Sequence, residues 1–133
     1  MKTVEFEYGS KSLHLYFNST AMFDLENLDS QKAEDLPDTL ERIQEPTAEG
    51  FALLCKVAVI LATQGELCRR YLQYTPARIP TEQELLLVLS PMQLLTLRSA
   101  VLRAVNAGWA QANADTDGDV DIGLAELEKK TTP

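Results

Sequence analysis

Apolar and polar residues alternate from Thr3 to Phe17, with Val4, Phe6 and Tyr8 before the punctuation Gly9-Ser10-Lys11 and Leu13, Leu15 and Phe17 after it. A period of two broken at a glycine predicts a β-hairpin over 3–17. Two strands alone are marginal in water, so the apolar face of this hairpin must pack on helices that follow. The period then lengthens. Asn18-Ser19-Thr20 offers three N-cap residues in a row, and Ala21, Met22, Leu25 and Leu28 recur at helical spacing, which predicts a helix near 20–28. The polar stretch 29–35 reads as a connector. Leu36, Leu40 and Ile43, with Pro37 in the first turn, predict a short helix near 37–44.

Pro46 closes that segment and Thr47 caps a long helix near 48–73. Its apolar positions Phe51, Leu54, Val57/Ala58, Leu61, Cys68, Tyr71 and Leu72 follow the 3.6 period with one irregularity at Gly65. The stretch from Phe51 to Ala62 is apolar on more than one face, as expected of a central helix surrounded by neighbours. Pro76 and Pro80 prevent continuation. Thr81 with Glu84, and Ser90 with Gln93 behind Pro91, are two capping-box signatures that open helices near 82–89 and 91–112. Leu94, Leu97, Val101, Val105 and Trp109 form the apolar stripe of the last one. The fold class expected is mainly α (α+β). An N-terminal hairpin packs on a bundle of about four to five helices in a single globular domain over 1–112, and a flexible acidic tail covers 113–133.

Composition narrows the function more than it defines it. The chain has 133 residues, 45% hydrophobic and 24% charged, which is ordinary globular content. Its net charge of -8 has the wrong sign for counterion-release binding to DNA or RNA, so no nucleic-acid partner is expected. The N-terminus lacks the apolar core of a signal peptide, and the run Val57–Ala62 falls short of the roughly 20 residues that span a bilayer, so neither secretion nor a membrane is expected. Cys55 and Cys68 lie on one predicted helix, separated by roughly 20 Å of rise, too far for a disulfide. They are expected as free thiols in a reducing cytoplasm, the apolar neighbours favouring a buried role.

Candidate chemistry is sparse. His14, the sole histidine, is expected as a strand-surface side chain. No nucleophile-elbow, zinc-protease, Walker or dinucleotide fingerprint is present, and an enzyme is not expected; no catalytic, cofactor or metal residue is assigned. Phe51 and Trp109 read as core residues, with the role of partner anchor open to either. The run Asn113–Asp121 invites a calcium test. With Gly118 at the sixth loop position, Asn113, Asp115, Asp117, Asp119 and Asp121 fall at ligand positions, but the twelfth is Leu124 where a bidentate Glu belongs. Starting at Asp115 restores Glu126 and puts Val120 where glycine is needed. A solvated acidic tail is the expected state.

The order of parts resembles a family. A hairpin with a central glycine, the segment Asn18-Ser19-Thr20-Ala21-Met22-Phe23-Asp24-Leu25-Glu26, the apolar helix Phe51 to Leu72, a proline-containing break and a final Leu-Ser-Pro-Met-Gln-Leu-Leu helix are similar to the tail assembly chaperones of long-tailed bacteriophages and prophages. The similarity covers residues 3–112 and is architectural. The linker before Thr47 is longer and more polar than the pattern, and the tail after Asn113 has no counterpart. The resemblance implies an acidic protein of the host cytoplasm that binds the tape measure protein, recruits tail tube subunits and is absent from the finished virion; the sequence leaves the oligomeric state open, a homo-oligomer included. No residue-level site carries over. It also implies a minority longer product by programmed frameshifting, for which Lys129-Lys130 is a fitting place; read without it, that pair balances Glu126 and Glu128. The alternative from a different class is a small regulatory adaptor whose Asp-rich tail binds calcium.

Overall fold

A computed structural model describes residues 3–28, 36–72, 75 and 78–116, with side chains to residue 110. Strands β1 (Val4–Tyr8) and β2 (Lys11–Leu15) form an antiparallel pair in which Val4 faces Leu15, Phe6 faces Leu13 and Tyr8 faces Lys11. Gly9 takes φ 60° at the two-residue turn, a conformation that an L side chain adopts only with strain. Phe6, Leu13 and Leu15 are buried, whereas Glu5 and Glu7 on the opposite face are exposed.

Five helices follow: α1 (Ser19–Glu26), α2 (Leu36–Arg42), α3 (Ala48–Tyr71), α4 (Glu82–Val88) and α5 (Pro91–Thr116). Of the three residues offered as a cap for α1, the fold uses Asn18, whose Oδ1 accepts from the Ala21 N–H at 2.8 Å. Its Nδ2 donates to Gln64 Oε1 at 3.1 Å, so the same side chain starts α1 and fastens it to α3. The helix stops at Glu26, short of Leu28, because Asn27 diverts backbone acceptors: its N–H donates to the Asp24 carbonyl and its Nδ2 to the Phe23 carbonyl.

Helix α3 is the axis of the domain. Leu53, Leu54, Cys55, Val57, Ala58, Leu61 and Ala62 are all buried, an apolar surface wider than one stripe, covered by the hairpin, α1, α4 and α5. By length and composition this helix would satisfy a membrane-span test, and here its apolar surface goes to the protein interior. Strand β2 crosses it at Gly65, where a Cβ would overlap the carbonyl oxygen of His14. At the same crossing the Tyr16 N–H donates to the Leu61 carbonyl at 3.1 Å. The break in the apolar period at Gly65 is therefore the notch into which the hairpin's inner edge fits.

Both predicted capping boxes are present. The Thr81 hydroxyl accepts from the Glu84 N–H while Glu84 accepts from the Thr81 N–H, and Ser90 and Gln93 do the same at 3.2 and 2.9 Å. Leu94, Leu97, Ala100, Val101, Ala104 and Val105 then face the core from α5. Arg98 Nη1 donates to the Gln44 carbonyl at 2.9 Å, which ties the chain after α2 to α5.

Four expectations need correction. Helix α5 runs to Thr116, not to 112, because Ala110, Ala112 and Ala114 are strong helix formers and the flanking Asn and Asp do not break the helix. Trp109 is 52% exposed, and not a core residue. Each i+4 step along Leu97, Val101, Val105 and Trp109 overshoots a full turn by about 40°, so three steps carry Trp109 about 120° from Leu97. Its ring rests beside Phe17 with centroids 5.9 Å apart. Tyr71 and Leu72, assigned to the inward stripe of α3, are exposed at the helix end, beyond the reach of the hairpin and α5. His14 is half-buried against α3 instead of lying on an open strand surface.

Candidate protein-binding surface

The one buried carboxylate among the described residues is Glu66, on the turn of α3 that meets the hairpin. Its Oε1 accepts from Arg69 Nε at 3.2 Å, and its Oε2 lies 3.1 Å from Nδ1 of His14. The other ring nitrogen of His14 is 3.8 Å from Glu5 Oε2 on the neighbouring strand. Burying a charge requires partners, and His14 and Arg69 are among those of Glu66. A carboxylate that orients an imidazole is half of a catalytic relay, but the far nitrogen of this ring faces another carboxylate, and no hydroxyl or thiol bonds to it among the described residues. The cluster joins β1, β2 and α3 as a polar seam.

The thiols are separate and unpaired with each other: Cys55 is fully buried and Cys68 half-buried. Burial pushes the Cys55 thiol up to about 11, with Glu82 adding to the shift, so it stays protonated and inert at neutral pH. Among the described residues no group of three or more His, Cys, Asp or Glu side chains converges on a metal-sized space. Asn113 and Asp115, two positions of the calcium-loop frame, belong to helix α5; the rest of that frame and the Lys129-Lys130 pair lie outside the described residues.

The unusual chemistry is apolar and on the surface. Helix α4 has seven residues, and only Leu85 within it is buried, with Leu89 one turn on. Those two side chains at i and i+4 fix one face to the core, which turns Leu86, Leu87 and Val88 outward at 41, 83 and 55% exposure. Met92, in the first turn of α5 just past the elbow at Leu89-Ser90, is 70% exposed. Four large apolar side chains thus crowd one elbow where a soluble helix ordinarily presents charge.

Beside this elbow lies the hairpin tip. A groove of about 160 Å³ runs between them, lined by Tyr8, Lys11, Pro80, Leu87 and Val88 with the Arg78–Glu84 pair at its rim. Arg78 Nη2 donates to Glu84 Oε2 at 2.6 Å. That bond and the one from the Thr81 N–H hold the Glu84 carboxyl below its usual range, and Arg78 is raised in return. Burial lifts the Tyr8 phenol above its ordinary value, an effect that Arg78 opposes and Glu84 reinforces.

The sequence contains the signal for the elbow. Leu85-Leu86-Leu87-Val88-Leu89 is a run of five apolar residues on a seven-residue helix, and such a helix can bury only one side. The hairpin-tip groove has no such signal, because Arg78 and Lys11 are far apart in sequence. Comparison with protein-family models, curated proteins and solved structures gives no match to this chain.

Proposed function

We propose that this protein is a phage tail assembly chaperone, which binds apolar segments of a tape measure protein and recruits tail tube subunits in the host cytoplasm. It works by binding and not by catalysis. The observation that carries this reading is the elbow of Leu86, Leu87, Val88 and Met92, exposed on a domain whose remaining apolar residues are mostly buried. Large apolar side chains grouped on the surface of a small protein mark a site for another protein, and methionine adapts to irregular partner surfaces. The order of hairpin, short helix, long central helix and proline-opened last helix accords with the resemblance drawn from residues 3–112. Trp109, half exposed and propped by Phe17, offers a second anchor of the kind that dominates protein interfaces.

Co-expression with the tape measure protein of the same phage or prophage tests the reading. The tape measure protein is expected to stay soluble and copurify with the wild-type chain, and Leu87→Asp with Met92→Asp is expected to abolish copurification without changing the melting temperature. Absence of copurification with the wild type, or equal capture by the double variant, overturns it.

A further inference from the structure

The hairpin tip gives the elbow a chemical preference. Tyr8 and Lys11, the pair that closes the turn, line three adjoining concavities: the apolar groove against α4, a hollow of about 300 Å³ along β2, and one of about 380 Å³ toward Gln93. The hollow along β2 is lined by Tyr8, Ser10, Lys11, Ser12, His14 and Arg78. It has cations and hydroxyls and no carboxylate, on a chain whose net charge is -8.

Availability decides whether those cations can meet a ligand. Both oxygens of Glu84 are occupied, one by Arg78 and one by the Thr81 N–H. The bond to Arg78 holds the guanidinium at the groove, where the Arg78 side chain is still 68% exposed. A guanidinium has five N–H donors and spends one here. Lys11 is exposed, and its charge acts across the groove on Glu84, which it helps to hold ionised. His14 lies deeper, committed to Glu66 and near Glu5. The two outer cations therefore stand at the mouth of a groove whose wall is Pro80, Leu87 and Val88.

We propose that this junction of hairpin tip and α4 receives an acidic amphipathic segment of a partner protein. Its apolar side chains lie on Pro80, Leu87 and Val88, and its carboxylates on Lys11 and Arg78. The inference deepens the reading of the elbow as a protein-binding surface by naming the chemistry of the client. Charge complementarity carries it. Two cations, Lys11 and Arg78, against the one carboxylate of Glu84 give the groove a net positive charge, a local reversal of the overall sign that supplies selectivity between apolar segments the elbow alone would accept alike.

Three fluorescein-labelled amphipathic peptides, identical except that their polar face is Glu, Gln or Lys, provide the test against the full chain by fluorescence anisotropy. The Glu peptide is expected to bind at least tenfold more tightly than the Gln peptide at about 50 mM salt. The gap should close near 0.5 M as screening shortens to about 4 Å. Lys11→Glu is expected to erase the preference and Leu87→Asp to weaken all three peptides, with unchanged circular dichroism showing that both exposed variants fold. Tightest binding by the Lys peptide, as overall charge alone dictates, or equal binding of Glu and Gln peptides, or indifference to Lys11→Glu, overturns the proposal. Capture of the tape measure protein with no effect of Lys11→Glu would retain the chaperone reading and overturn this one; a Glu-peptide preference without that capture would do the reverse.

Discussion

Alanine at Gly65 sets two effects of known size against each other. In an unencumbered helix, Gly→Ala stabilises by about 0.8–1.0 kcal/mol. In this fold the new methyl group would overlap the His14 carbonyl oxygen and stand 2.7 Å from its carbonyl carbon. These are backbone atoms and cannot rotate aside, so β2 must lift from α3. Overpacking of that kind costs about 1–3 kcal/mol. Lifting the strand also stretches the 3.1 Å bond from the Tyr16 N–H to the Leu61 carbonyl, a further cost of about 0.5–1.5 kcal/mol. The steric and hydrogen-bond losses exceed the propensity gain, and the net destabilisation is about 1–3 kcal/mol. At about 3–5 °C per kcal/mol for a domain of this size, the melting temperature should fall by about 3–15 °C. Thermal unfolding by circular dichroism, paired with urea unfolding at unchanged m-value, measures it. A Gly65→Ala protein as stable as the wild type or more so would show that β2 does not cross α3 at this notch.

Trp109→Ala should cost about 1–2 kcal/mol in urea unfolding, against about 3–5 kcal/mol for a core tryptophan, because half of its surface is already in water. The sole tryptophan should accordingly emit at long wavelength in the native state; blue-shifted emission would contradict its exposure. The Cys55 thiol is raised in the folded state from its ordinary 9.0 to about 11. Above pH 9 the unfolded chain loses a proton that the folded chain keeps, so this contribution is complete below about pH 9 and is lost as pH rises toward 11. Stability measured against pH over that window should fall more steeply for wild type than for Cys55→Ala, and parallel curves would exclude a buried thiol.

The caps and the two periodicities carried most of the architecture. Thr47, Thr81 and Ser90 mark helix starts by local chemistry, and local chemistry is what a sequence displays. The hairpin register follows from its alternation and Gly9 in the same way. Positions that depend on tertiary geometry were harder to read. Trp109 continues a run of i+4 steps that looks like a core stripe, and only the accumulated overshoot places it on the flank. His14 sits at a polar position of β2, and nothing near it in sequence announces Glu66, which lies 52 residues away. The apolar elbow was implicit in five consecutive apolar residues on a short helix, whereas the cations of the hairpin-tip groove come together only in the folded chain.

The notch at Gly65 also has a meaning in time. The hairpin leaves the ribosome before α3, with Leu13 and Leu15 uncovered, and the α3 surface that shelters them arrives about 50 residues later, as the 52-residue span from His14 to Glu66 requires. At synthesis rates of about 5–20 residues per second, the strands wait roughly 3–10 s for their support. During that interval the hairpin lacks the α3 surface that buries its inner face. Exposed charges such as Glu5 and Glu7 disfavour the edge-to-edge addition of one such hairpin to another, and it is then that they matter most to this chain.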